Sequence, residues 1–170
     1  KVVGNPTEGA LLLWLNDKGD NYTSIRSKCP IVSQIPFSTE KKFMATVAKI
    51  DGKTMTFVKG APEILIGMCC CNESDRNTYE SQLLHYQRQA MRTLAFAYGD
   101  GDLLQQLQSG KAQGLTMQGI CAICDPVRDD VPQAVNECRG AGIRVKMVTG
   151  DTTATALAQH RPCGGGVMFF

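Results

Sequence analysis

Two apolar stretches, residues 43–49 and 54–58, are joined by Ile50-Asp51-Gly52-Lys53. Asp-Gly between apolar runs is a strong short-range hairpin signal, because the tight turn needs positive φ at its two central residues. The pair predicts two antiparallel strands. Lys59-Gly60 then hands over to a helix with Pro62 in its first turn, where a missing amide hydrogen leaves no bond unmade.

The same reading extends along the chain. A helix is expected over residues 7–16, with Thr7 as its cap. Residues 16–20 form a loop, and residues 31–35 lead into Pro36-Phe37-Ser38. Residues 72–79 are polar and read as a loop, followed by a helix over 79–91 and a strand over 94–98. Residues 99–114, rich in Gly and Gln, read as a surface insertion. Residues 115–124 form a buried strand that Asp125-Pro126-Val127-Arg128 breaks.

Beyond that break the pattern changes. Residues 131–141 read as a helix, with Asp129 and Asp130 near its positive end. Gly142 stops it, and residues 143–148 read as a parallel-type strand ending at Thr149-Gly150-Asp151. A further helix starts at residue 152. Strand, helix and strand at this spacing make one βαβ unit, whereas the first part is an antiparallel meander with added helices. Three segments follow: 1–124, 125–160, and a tail over 161–170. In the tail three glycines precede four apolar residues, so it is expected to be disordered or to make a contact of its own.

The 170 residues suit one domain, or one domain with a piece of a second. Hydrophobic content is 43%, enough for a buried core and against disorder. A net charge of +2 gives no argument for a nucleic-acid partner or an anionic membrane surface. The longest apolar runs fall short of the ~20 residues of a membrane helix, so direct membrane contact is not expected. Lys1-Val2-Val3-Gly4-Asn5 has no signal-peptide pattern and reads as the interior of a longer protein.

There are eight cysteines. Cys69-Cys70-Cys71 are consecutive, which disfavours disulfide geometry, and Cys121, Cys124 and Cys138 lie in or beside apolar segments. Reduced, mostly buried thiols are expected. Cys121-x-x-Cys124 lacks the second close pair of a zinc site, so no metal ligands are assigned.

Six stretches carry a family resemblance: Gly4-Asn-Pro-Thr-Glu-Gly-Ala-Leu11, Phe37-Ser-Thr-Glu-Lys-Lys-Phe-Met44, Phe57-Val-Lys-Gly-Ala-Pro-Glu63, Met91-Arg-Thr-Leu-Ala-Phe-Ala97, Asp125-Pro-Val-Arg128 and Ala141-Gly-Ile-Arg-Val-Lys-Met-Val-Thr-Gly-Asp151. Each is weak alone; the ordered set is specific. The chain resembles the cytosolic catalytic region of P-type cation-transporting ATPases, most closely the calcium-pump-like type II branch. The resemblance implies an α+β fold: an antiparallel sheet with flanking helices, forming the nucleotide-binding domain, followed by a partial βαβ of a haloacid-dehalogenase-like phosphorylation domain. It implies a location on the cytoplasmic side of a membrane, ATP as the bound nucleotide (Mg-ATP in the whole pump), and the remaining pump domains as partners.

The resemblance also implies site residues. Phe37 corresponds to the adenine-stacking aromatic; by itself it reads as a core phenylalanine at a strand end. Lys59 and Gly60 correspond to the Lys-Gly that lines the nucleotide pocket. Lys42 and Arg92 correspond to cations that attend the phosphates, and Glu8 to a carboxylate at the adenine edge. Without the resemblance these are ordinary surface charges. Thr39 departs from the pattern, since an arginine stands there in animal reticulum calcium pumps; Lys41 is the expected replacement.

Thr149, Gly150 and Asp151 correspond to the family's phosphoryl-holding Thr-Gly-Asp. Asp125 and Arg128 correspond to the interdomain hinge. Met44, Met55 and Met117 are expected to pack without a functional role. The family's Asp-Lys-Thr-Gly-Thr nucleophile motif is not in these 170 residues, so this chain by itself is expected to bind nucleotide weakly and to be inactive. Two rival readings are a free-standing haloacid-dehalogenase-like phosphatase and a non-catalytic interaction module.

Overall fold

A computed structural model describes residues 5–89, 91–124 and 130–146, together with the backbone of 167–169. The elements in chain order are α1 (Pro6–Asp17), α2 (Tyr22–Lys28), β1 (Ile31–Ile35), β2 (Phe43–Ile50), β3 (Lys53–Gly60), α3 (Pro62–Met68), α4 (Glu73–Gln87), β4 (Arg92–Asp100), α5 (Leu104–Gln108), β5 (Thr116–Ile123), α6 (Val131–Gly140) and β6 (Val167–Phe169).

The strands form one sheet in the order β1-β2-β3-β4-β5-β6, with every neighbouring pair antiparallel. The Asp-Gly hairpin forms as expected. Ile50 pairs with Lys53, and the two turn residues adopt φ of 49° (Asp51) and 79° (Gly52). The strands run further than the apolar pattern, because ladder pairing carries the backbone on to Phe43 opposite Gly60.

One face of the sheet carries the core. Phe43, Ala45, Val58, Ala95, Ala97 and Ile120 from the strands cluster with Leu65 and Ile66 of α3, Leu83 of α4 and Leu107 of α5. Leu65 and Ile120 are fully excluded from solvent. Burying a side chain of that size contributes roughly 1.5–3 kcal/mol. Residues of the opposite parity, such as Met44, Thr46, Phe57, Lys59, Phe96 and Tyr98, face a cleft whose other wall is α1. Period-2 alternation along β2, β3 and β4 thus separates the packed face from the cleft face.

Several expectations are corrected. Residues 72–79 are the start of α4 rather than a loop: the Asn72 side chain accepts from the Asp75 amide at 2.8 Å, and Glu73 and Asp75 occupy the favourable first turn. The cap, not an apolar period, announces this helix, which ends at Gln87 instead of continuing to residue 91. Likewise α1 is capped by Asn5, whose side chain accepts from the Thr7 amide at 2.9 Å, and Pro6 rather than Thr7 opens it.

Residues 99–114 are not a loose insertion. Gly99 and Asp100 complete β4, and Leu107 and Ala112 are buried. Fully buried Thr56 fastens the segment: its hydroxyl donates to the Gly101 carbonyl at 2.7 Å and accepts from the Leu103 amide at 3.0 Å.

The expected parallel βαβ is not formed by the described residues. β5 ladders antiparallel to β4, and residues 143–146 after α6 belong to no strand, with Ile143 and Val145 exposed. Residues 147–148, like the segment boundary at Asp125, lie outside the described residues. In the tail, Val167–Phe169 pair with β5.

Candidate functional site

The site is built by strand register. Ile35 at the end of β1 lies opposite Ala45, Phe43 opposite Gly60, and Gly60 opposite Ala95. Phe37 follows β1 by two residues, Lys42 immediately precedes β2, Lys59 and Gly60 end β3, and Arg92 starts β4. The meander therefore carries five residues that are far apart in sequence to one end of the sheet. Glu8, in the first turn of α1, joins them through an ion pair: Lys59 Nζ donates to Glu8 Oε1 at 2.6 Å.

Gly60 is demanded by close approach. A Cβ built there would lie 2.5 Å from the Lys42 carbonyl oxygen and 2.6 Å from Phe43 Cβ. The Ala61 amide donates to that same carbonyl at 2.9 Å. Lys42 itself holds φ at 57°, uncommon for a residue with a side chain, and its amide donates to the Ser38 carbonyl at 2.8 Å. The turn over residues 38–42 is thus locked against the end of β3, with the Lys42 side chain exposed. Lys41, the expected substitute cation, donates its Nζ to the Gln108 carbonyl at 3.2 Å.

Beside this end lies the cleft, about 520 Å³, within the ~300–1,000 Å³ usual for small-molecule sites. Its walls are Leu11, Leu12, Trp14 and Leu15 of α1, Met44 and Thr46 of β2, Phe57 and Lys59 of β3, Phe96 and Tyr98 of β4, and Gln118 and Cys121 of β5. They are mostly apolar and aromatic, with Lys59 as the cation. Burial pushes the Cys121 thiol up to about 12, so this wall is neutral at ordinary pH.

Of the expected nucleotide residues, Lys59 lines the cleft, and Glu8 reaches it through Lys59. Phe37 is 60% exposed, which overturns the reading of it as a core aromatic. Lys42 and Arg92 are exposed at the same end. Thr149, Gly150 and Asp151 lie outside the described residues. The sequence assigns no role to Trp14, Phe57, Phe96 or Tyr98, and packing alone to Met44, although all five line the cleft. The parity of Phe57 with Lys59, and of Phe96 with Tyr98, was the available signal.

The residues present suit an adenine nucleotide. An apolar slot with aromatic walls accepts a flat heterocycle. Gly60 packs against Lys42 and Phe43 at the sheet end, where Lys42 and Arg92 are exposed.

The family described as P-type ATPase, cytoplasmic domain N, matches residues 1–130, and the chain belongs to it. Among similar proteins are the calcium-transporting ATPase PAT1 of Dictyostelium discoideum, 34% identical over 96% of this chain and 16% of its own length; a calcium-transporting ATPase of Bacillus subtilis, 34% identical over 91% of this chain and 19% of its own; and the plasma membrane-type calcium-transporting ATPase 4 of Arabidopsis thaliana, 36% identical over 96% and 17%. The chain thus spans less than a fifth of the length of these relatives. Among the described residues no helix is long and apolar enough to cross a membrane.

Proposed function

We propose that this chain binds ATP in the cleft between α1 and the sheet, and serves a P-type pump as its nucleotide-holding domain. In the whole protein, ATP would donate its terminal phosphoryl group to an aspartate carried elsewhere, and the aspartyl-phosphate cycle would drive cation transport. Calcium is the expected cation, because the similar proteins named above are calcium-transporting ATPases.

The observation that carries this reading is the mostly apolar cleft with Lys59 on its wall, paired with Glu8 of α1. In this reading Phe37 stacks on the adenine, Glu8 accepts from the exocyclic amine, and Lys59 lies along the nucleotide. Lys42 and Arg92 attend the phosphates, with Arg92 able to present a planar fork and Lys42 a point charge. Thr149, Gly150 and Asp151 hold phosphoryl oxygens in the same scheme, where positioning and electrostatics supply most of the catalysis. Magnesium, when bound with ATP in the whole pump, would neutralise phosphate charge.

Calorimetric titration with ATP tests this. The expected dissociation constant is about 0.1–1 mM, or roughly 4–5.5 kcal/mol, since contacts from the rest of a pump are not available to this chain. No heat and no chemical-shift change at millimolar ATP would remove the proposal.

A further inference from the structure

Phe37 and Lys42 stand at the two ends of one turn, in which Pro36, Phe37, Thr39 and Glu40 are all exposed. The turn closes on itself through Ser38. The Ser38 carbonyl accepts from the Lys42 amide at 2.8 Å, and its hydroxyl accepts from the Lys41 amide at 3.1 Å. These bonds set the shape of the turn but not its place in the molecule.

Among the described residues, two hydrogen bonds fix that place. The Ala61 amide donates to the Lys42 carbonyl at 2.9 Å, where the turn enters β2. Lys41 Nζ donates to the Gln108 carbonyl at 3.2 Å, 67 positions away. Lys41 is half-buried, whereas Lys42 is exposed. An aliphatic stem laid on the protein surface can deliver its ammonium to the last carbonyls of a helix. The amides of Ser109, Gly110 and Lys111 donate to the carbonyls of Gln105, Leu107 and Gln106, and Lys41 supplies a donor to the next one, that of Gln108.

The support is firm. Leu107 of α5 is buried, and at the other end of α5 the Leu103 amide donates to the hydroxyl of buried Thr56 at 3.0 Å. Contacts therefore run from β3 through α5 and Lys41 to the turn that carries Phe37 and Lys42.

We propose that Lys41 is a positioning residue for nucleotide binding, which acts by fastening the 38–42 turn to α5 and not by touching phosphate. The inference rests on the nucleotide reading above. It replaces the expectation that Lys41 stands in for a phosphate-contacting arginine. A turn held in place before the ligand arrives spares the ordering cost of binding. The benefit falls on the base, through Phe37, as much as on the phosphates, through Lys42.

Chemical-shift titrations with ATP and with adenosine, on the unaltered chain, Lys41→Met and Lys41→Arg, test the proposal. Lys41→Met keeps a stem and loses the donor, and should weaken both ligands by the same factor, about three- to fivefold. Lys41→Arg keeps a donor and should restore most of the affinity. The thermal midpoint should stay nearly constant, because the contact is exposed to water. A loss confined to ATP would assign Lys41 to the phosphates and overturn the proposal. Equal affinities in Lys41→Met, or a loss in Lys41→Arg as large as in Lys41→Met, would overturn it too. No binding of ATP by the unaltered chain would instead remove the nucleotide reading, and the positioning role with it. The tie itself is read without ligand: the Lys41 and Lys42 amides should exchange several-fold faster in Lys41→Met while those of Ala45 and Val58 stay unchanged. Unchanged exchange in the turn would show that Lys41 does not hold it.

Discussion

Lys59 Nζ lies 2.6 Å from Glu8 Oε1, and this contact ties the first turn of α1 to the end of β3 across 51 positions of sequence. It spans the two walls of the cleft. The two side chains are 27% and 55% accessible, so water screens the pair and its direct contribution to stability is about 0.2–1 kcal/mol at most. Lys59→Ala should therefore leave the thermal midpoint almost unchanged while weakening ATP binding several-fold. Equal affinity in titrations of the two proteins would move the nucleotide away from Lys59.

Phe37→Ala separates binding from folding more sharply. The ring is 60% exposed and lies outside the buried cluster, so its removal should not lower the denaturation midpoint. Loss of base stacking, worth about 1–3 kcal/mol, should weaken ATP binding by at least ~5-fold. A stability loss with unchanged binding would return Phe37 to a packing role.

Gly60→Ala should lower stability as well as binding. The new methyl would meet the Lys42 carbonyl oxygen at 2.5 Å and Phe43 Cβ at 2.6 Å, both close to the backbone and unable to swing aside. Overpacking of this kind costs about 1–3 kcal/mol, measurable by urea denaturation. Binding should fall as well, because the Lys42 turn must shift.

Thr56→Val keeps the side-chain shape and removes the hydroxyl that donates to Gly101 and accepts from Leu103. The part-buried Leu103 amide then loses its acceptor, at a cost of about 1–3 kcal/mol. Exchange of the α5 amides should accelerate before that of the β2–β3 hairpin.

Cysteine chemistry gives a pH prediction. Burial, with smaller contributions from Cys71 and Cys70, pushes Cys69 up to about 12, and burial pushes Cys121 to a similar value, from an ordinary value of 9.0. Both thiols hold their protons in the folded chain at pH values where unfolded thiols ionise. Between about pH 9 and 12 the folded state therefore binds more protons, and stability should fall as pH rises through that window. At pH 8, iodoacetamide should label exposed Cys70 and spare Cys69 and Cys121 until the chain is unfolded.

The antiparallel hairpin was legible because its turn demands a backbone conformation that few residue pairs provide. The helix at Pro62 was legible for a similar local reason. α4 was half missed, since its first two turns are polar and only the Asn72 cap betrays them. The order of residues 99–114 depends on Thr56, 45 positions from Gly101, and no local pattern encodes that bond. The nucleotide residues were recognisable only as motifs; what brings Phe37, Lys42, Gly60 and Arg92 together is strand register, a property of the assembled sheet. The aromatic walls were hidden because strand residues facing a cleft and strand residues facing a core share the same alternation.

The strand order β1 to β5 follows the chain without a crossover. Each hairpin can therefore close against a neighbour already made, on the microsecond scale of local turn formation, and assembly can keep pace with synthesis from the ribosome. β6 is the exception: its contact with β5 spans more than forty residues of chain, from Ile123 to Val167, so among the described strands this seam stays open for the longest interval. During that interval β5 is the segment most exposed to wrong pairing, and a chaperone or a neighbouring nascent chain would meet this protein there first.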